Sequence, residues 1–276
     1  MKITFNNTIF SIEKTGGISR YFICLIKELI KNKLDVKVIS ALHKNKFLTL
    51  LPKETTTGLY LPNYPLFKLI ENYNNKDFNN YINSKSTDII HDTYYTPNIN
   101  KPKKIKKVIT VHDLIHEKFK DYYRNSKNEI SKKKEAFIDC DHFICVSNNT
   151  KNDLVEFYNI EPDKISVIYH GANHLTNIKD NYDSKINDPY LLYVGKRDRY
   201  KNFMFLLKAY AKCKKVNQNF NGELELISII PKITKTEVVF WLTFVTLIKY
   251  ESFNLSCSYL LGICRVRSSS GRKEKV

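Results

Sequence analysis

The chain has no cysteine framework to staple it. Cys24, Cys140, Cys145, Cys213, Cys257 and Cys264 show no CxxC pair and no regular spacing, which argues against both a disulfide scaffold and a zinc site and makes a reducing compartment the simpler setting. A long apolar run is also missing. The longest, Val238 to Ile248, is interrupted by Thr243 and Thr246 and falls well short of the ~20 residues needed to span a bilayer. The opening Met1-Lys-Ile-Thr-Phe5 lacks the basic stretch, apolar run and small-residue cleavage site of a secretion signal. The expected location is therefore cytoplasmic, with any contact to the inner face of a membrane peripheral. No GxGxxG stands at either strand-to-helix turn, so the dinucleotide fingerprint is absent, and no Ser or Cys sits in a nucleophile elbow. No RRM, KH, helix-turn-helix or zinc-finger pattern accompanies the basic charge, so nucleic acid is not an expected partner. Acidic residues are scarce: 28 Asp+Glu face 45 Lys+Arg, for a formal charge of +17, which favours phosphorylated small molecules or anionic surfaces. The Lys101–Lys107 and Lys132–Lys134 clusters read as solvated faces.

With 276 residues, 42% hydrophobic and 13% aromatic, the chain can bury a sizeable core and is long enough for about two domains. Short β-branched runs alternate with longer amphipathic segments, the pattern of βαβ units around a parallel sheet. Strands are expected at Ile3–Phe5, Val36–Ile39, Asp88–Ile90, Lys107–Val111, His142–Val146 and Ile165–Ile168. Helices are expected at Ile18–Lys31, within 62–86, at Ser126–Ile138 and at Asn149–Tyr158, the last capped by Ser147 with Thr150 and Asp153 in its first turn. A second unit starts with the strand Tyr190–Val194, a loop to Tyr200, a helix Asn202–Lys215 and a strand Glu223–Ile230. The expected organisation is an N-terminal Rossmann-like domain over 1–172, a linker over 173–189, the start of a second Rossmann-like domain over 190–230, and a tail over 231–276. That Ser-rich, basic tail completes no βαβ unit and reads as out of register with the preceding fold, as a reading-frame shift near Ile230 would make it.

Three places carry candidate chemistry. Gly16-Gly17 lies between the first strand and the first helix, where the backbone can approach a ligand and helix N–H groups face an anion, with the Ser19 hydroxyl and Arg20 charge at the same mouth; the plainer alternative is a tight connection. His112-Asp113 follows the strand ending at Val111, at the carboxyl edge where open α/β sheets bind ligands. There a histidine can hydrogen-bond sugar hydroxyls or steady developing charge, and Asp113 can orient it or take a hydroxyl itself; a structural histidine is the alternative. His91-Asp92 ends a neighbouring strand, and the two pairs together would line a polar cleft. Gly195-Lys-Arg-Asp-Arg-Tyr-Lys-Asn202 combines a glycine, basic side chains and a helix start. Arg197 can grip phosphate oxygens bidentately while Lys201 adds a point charge, neutralising a diphosphate without a metal; otherwise it is a solvated basic turn.

Taken in order, Gly16-Gly-Ile-Ser-Arg-Tyr-Phe22, Thr110-Val-His-Asp-Leu-Ile-His-Glu117, Val146-Ser-Asn-Asn-Thr-Lys-Asn-Asp-Leu154, Ile168-Tyr-His-Gly171 and Tyr193-Val-Gly-Lys-Arg-Asp-Arg-Tyr-Lys-Asn-Phe203 closely resemble the group 1 (family 4) glycosyltransferases. The resemblance covers about residues 1–230. It implies a GT-B-like α/β fold, in which the first Rossmann-like domain holds a glycan or lipid-linked acceptor and the second, here incomplete, holds a nucleotide-diphosphate sugar. It further implies transfer that retains anomeric configuration with no cofactor or metal. Carried over, Gly16 and Gly17 match the loop facing the donor phosphates, His112 the histidine on the transferred sugar, and Arg197 and Lys201 the basic pair on the diphosphate. The family's Glu-x7-Glu motif is not matched: Glu251 echoes its start too soon after Lys201, and Tyr259 stands where the second glutamate would be. That departure points to weak nucleotide affinity, an incomplete second sheet and exposed apolar surface from Val238 to Ile248. The competing expectation is a catalytically dead remnant that binds an acceptor or a membrane without turnover.

Overall fold

The computed structural model describes residues 1–63, 67–96, 99–171, 190–194, 201–216, 223–227, 253–258 and 263–268. The chain divides into two compact units, Met1–Asn177 and Ile178–Val276. Among the described residues no helix is long and apolar enough to cross a membrane.

In the first unit the short β-branched runs become strands of one parallel sheet. These are β1 (Lys2–Phe5), β2 (Asp35–His43), β3 (Thr56–Tyr60), β4 (Ile89–Asp92), β5 (Lys106–Val111), β6 (His142–Cys145) and β7 (Ile165–Val167). The strand order is β3-β2-β1-β4-β5-β6-β7 and every pairing is parallel. Sequence order reverses between β1 and β4, so a crevice opens at their carboxyl ends. Helix α2 (Gly17–Lys31) turns Phe22, Ile23 and Ile26 onto Phe5, Val36 and Val38 on one face. On the other face, Phe78 and Ile82 of α3 (Phe67–Ser84) meet Ile39 and Ile90, and Ala136 and Phe137 of α5 (Ser126–Ile138) meet Ile109 and Phe143. Each fully buried phenylalanine or isoleucine contributes roughly 1.5–3 kcal/mol; this packing fixes the strand ends on which the site stands.

Helix α6 (Asn148–Tyr158) starts at Ser147, whose Oγ accepts from the Thr150 N–H at 3.1 Å, and ends at Asn159 in the left-handed region with φ 53°. Ser147→Ala is expected to cost about 1 kcal/mol, read as a lower urea midpoint with faster amide exchange confined to the first turn of α6. Asp153 lies beyond that first turn and instead pairs with Lys118 at 2.7 Å.

Some elements differ from expectation. A short helix α1 (Thr8–Ile12) intervenes between β1 and Gly16, so Gly16-Gly17 opens the second helix rather than the first. Strand β3 was not expected. Its Gly58, at φ 132°, lies against the irregular stretch of β2, and a Cβ there would sit 1.8 Å from the Ser40 carbonyl oxygen. The lysine clusters are not uniformly solvated: Lys107 and Lys133 are 2% and 1% exposed. An ammonium buried without a partner is too unfavourable to persist, and each has one. Lys107 Nζ lies 3.6 Å from Asp92 and donates to the Ala136 carbonyl at 2.8 Å. Lys133 Nζ donates to Glu117 at 2.9 Å.

In the second unit, β8 (Tyr190–Val194) pairs in parallel with β9 (Glu223–Ile227), and α7 (Phe203–Val216) lies between them in sequence. Tail strands β10 (Phe253–Ser258) and β11 (Ile263–Ser268) form an antiparallel pair that joins β9 antiparallel, in the order β10-β11-β9-β8. The parallel rhythm thus gives way to an antiparallel addition. Val238–Ile248, Glu251 and Tyr259 lie outside the described residues.

Candidate functional site

The carboxyl edge of β5 delivers His112 into a cluster of rings. Its imidazole meets Tyr21 of α2 edge-on at 5.2 Å and stacks on His170 at 5.7 Å and 21°, while Tyr21 and His170 contact each other at 5.0 Å. Its Nε2 is buried and has no hydrogen-bond partner among the described residues. Burial first, and the neighbouring His170 second, lower its pKa to about 4, so at pH 7 the ring is neutral. A neutral imidazole with an unused nitrogen can donate to or accept from a hydroxyl, but it is not a resident cation.

His91 and Asp92 do not line the same cleft. His91 is stacked on Phe5 at 5.1 Å, set edge-on to Phe22 at 5.3 Å, and bonded through Nε2 to Thr110 Oγ1 at 2.9 Å. Burial and then His112 lower its pKa to about 3. Asp92 is fully buried, bonded to Asn6 and to Thr96; burial pushes its carboxyl up against the pull of Lys107 and these donors. Asn6 also accepts from the Thr93 N–H at 2.8 Å. The expected second polar pair is therefore the buried tie across the β1/β4 crossover. It reaches the site indirectly, through Thr110, whose hydroxyl also lies 3.4 Å from the Tyr21 hydroxyl.

Asp113 is exposed. Its carboxylate accepts from the Ile115 N–H at 3.3 Å, at the start of α4 (Ile115–Lys118), and not from His112. Its backbone carbonyl is held by Tyr95 Oη at 3.3 Å and Lys133 Nζ at 3.4 Å. Lys133 in turn lies over the Tyr95 ring at 5.1 Å, and its partner Glu117 also accepts from Tyr158. A buried ionic network thus pins the turn that carries His112.

At the amino end of α2, Gly16 is extended and its carbonyl accepts from Ser19 Oγ at 3.1 Å. Ser19 is fully buried, so its hydroxyl is committed to the helix turn rather than offered at the mouth. Arg20 is exposed. The Glu13 carboxylate accepts from the Ser19 N–H at 3.3 Å, and a Cβ on Gly16 would fall 2.1 Å from it; a Cβ on Gly17 would meet nothing. Tyr21, one turn further along the same helix, links this end to His112. Lys201 is exposed just before α7, and Arg197 lies outside the described residues. Sequence reasoning did not single out Tyr21, His170, Glu13 or the Lys133–Glu117 pair for the site. The one available signal was His170 in Tyr169-His-Gly171, which follows β7 at the same carboxyl edge as His112.

The sequence profile of Glycosyltransferase Family 4 matches residues 15–174, more than half of the chain. The chain belongs to Glycosyltransferase Family 4. It is a glycosyltransferase by ancestry, and the matched region holds Gly16, Gly17, Tyr21, His112 and His170. No curated protein matches it. Among solved structures it is similar to a glycosyltransferase from Rickettsia africae ESF-5, with 20% identity, TM-score 0.44, 82% of this chain and 68% of that one covered. It is also similar to the apo form of the lipopolysaccharide outer core galactosyltransferase WaaB, with 14% identity, TM-score 0.46, and 87% and 71% covered.

Proposed function

We propose that this family 4 chain derives from an enzyme that transfers a sugar, with retention and without a metal, from a nucleotide-diphosphate sugar to a glycan or glycolipid acceptor. The observation that carries the reading is His112: a neutral imidazole at a strand's carboxyl edge, held between two rings, with Nε2 unused by the described residues. That nitrogen is suited to a hydroxyl of the transferred sugar, and Asp113 would take a second hydroxyl. The amino end of α2 at Gly16 and Gly17, with Arg197 and Lys201, would stabilise the departing nucleoside diphosphate. An acceptor hydroxyl oriented in the cleft then meets the anomeric carbon. A lipid-linked acceptor would bring the chain into peripheral contact with a membrane face.

The test is nucleoside-diphosphate release from a panel of nucleotide sugars, beside calorimetric titration of the diphosphates themselves. His112→Ala is expected to lower turnover roughly 100-fold with nucleotide affinity within threefold of the parent. Arg197→Ala and Lys201→Ala are each expected to weaken nucleotide binding by about tenfold or more. Unchanged turnover in the first variant would return His112 to a structural role. Nucleotide or glycan binding with no turnover in the parent chain would instead assign a binding function.

A further inference from the structure

The rotamer of a histidine leaves the plane of its imidazole open, because the torsion that turns the ring about Cβ–Cγ is broad. A histidine that must present one nitrogen in a fixed direction is usually held by a hydrogen bond on the other, often to a carboxylate. The carboxylate next to His112 does not serve: Asp113 accepts from the Ile115 N–H. Ring contacts take its place. His170 stacks on His112 at 5.7 Å and 21°, Tyr21 meets both rings edge-on at 5.2 and 5.0 Å, and Phe22 adds a contact from the core at 6.1 Å. A ring stacked on one side and met edge-on on another cannot turn about Cβ–Cγ without giving up both contacts.

Of these rings His170 is the exposed one, yet its place is fixed from two sides. The Ile168 N–H donates to the Cys145 carbonyl at 2.9 Å, and Tyr169 Oη accepts from Asn148 Nδ2 at 3.0 Å at the start of α6. The stretch 168–170 is thus anchored to β6 and to α6, and it brings His170 to the cluster from a strand other than the one that carries His112. The titratable groups facing His112 are Tyr21 from α2, His91 from β4 and His170 from beyond β7. Burial and then His170 keep the His112 ring neutral.

We infer that His170 is a positioning residue of the site: by stacking on His112 it sets the plane in which that imidazole meets a hydroxyl of the transferred sugar. Because position 170 is exposed, the stack adds little to folding, and what it constrains is the ring beneath it. Tyr21 completes the constraint from α2, with its hydroxyl 3.4 Å from Thr110 Oγ1. The role in sugar binding rests on reading His112 as the sugar contact; the constraint on the ring does not.

The experiment is NMR of the full chain with labelled histidine rings, in the parent, His170→Ala, His170→Phe and His112→Ala, the last of which assigns the His112 signals. In His170→Ala the His112 ring is expected to loosen, seen in ring-carbon relaxation, and its titration midpoint to rise by about one pH unit from a parent value of about 4. His170→Phe keeps a face to stack on, so it should restore the ring order and return the midpoint to within about half a unit of the parent. Both variants at this surface position should melt within about 2 °C of the parent. Calorimetry then compares the tightest-binding nucleotide sugar of the panel with its own nucleoside diphosphate, which gives the affinity added by the sugar. His170→Ala should cut that gain about fivefold, and His170→Phe should keep it within about twofold of the parent. Unchanged ring order and midpoint in His170→Ala would overturn the inference, as would a His170→Phe ring as loose as that of His170→Ala. If the ring responds as expected but His112→Ala keeps the full gain from the sugar, or the parent has no such gain, the sugar reading falls and the positioning of His112 by His170 stands.

Discussion

Lys133→Met is expected to lower the thermal midpoint of the first unit by roughly 10 °C. The ammonium is 1% exposed, donates to Glu117 at 2.9 Å and lies over the Tyr95 ring. Removing it strands the Glu117 carboxylate, itself 3% exposed, with Tyr158 as its remaining side-chain partner among the described residues. Breaking one side of such a pair costs about 3–5 kcal/mol, and a unit of this size loses about 2–4 °C per kcal/mol. Lys133→Met/Glu117→Gln should recover part of the loss, because no buried charge is then unpaired. Circular dichroism melts of the parent and both variants decide it; a single variant within 2 °C of the parent would show the pair to be energetically idle. The same lysine holds the Asp113 carbonyl, so surviving Lys133→Met protein should also show altered His112 ring resonances.

Acid below about pH 6.5 should destabilise the protein through two buried histidines. His91 and His112 have folded pKa values lowered from 6.5 to about 3 and about 4. Between those values and 6.5 the unfolded chain binds protons that the folded chain refuses, so stability rises with pH across this window and falls as pH drops below 6.5. Each histidine contributes about 1.4 kcal/mol per pH unit, so the pair removes on the order of 5 kcal/mol between pH 6.5 and pH 4.5. Asp92, whose carboxyl is pushed up by burial, acts in the opposite sense as it protonates. Urea unfolding at pH 7, 5.5 and 4.5 measures the slope, and His91→Gln should remove about half of it while keeping a partner for Thr110. A flat profile in the parent would mean that both imidazoles are hydrated and titrate normally, or that Asp92 offsets them in full.

Long, periodic segments were legible in the sequence. Helix α2 occupies Gly17–Lys31, where the apolar spacing required a helix over Ile18–Lys31, and the Ser147 cap is present. Elements too short to show a period were not legible: α1 has five residues, and β3 carries Gly58 in its interior, which blurs a strand pattern. The position of His112 followed from its place after β5, but its surroundings did not. Tyr21 looked like one more apolar residue of α2, and its meeting with His170 depends on the carboxyl ends of β5 and β7 facing the same edge. Lysine runs carried no sign of which member turns inward, because the deciding partner is distant in sequence: Glu117 lies 16 residues from Lys133.

Glu13 changes what binding at the amino end of α2 means. Its carboxylate already accepts from the Ser19 N–H there, and three residues of chain tether it beside Gly16. It acts as an intramolecular ligand at an effective concentration that a free monovalent anion in solution does not match. Any phosphate that takes the place must displace it, and the charge gained from the newcomer is offset by the carboxylate released to water. A simple anion gains little from that exchange. A group with two phosphates and several acceptor oxygens gains more, so the end of the helix discriminates by valence before it discriminates by shape.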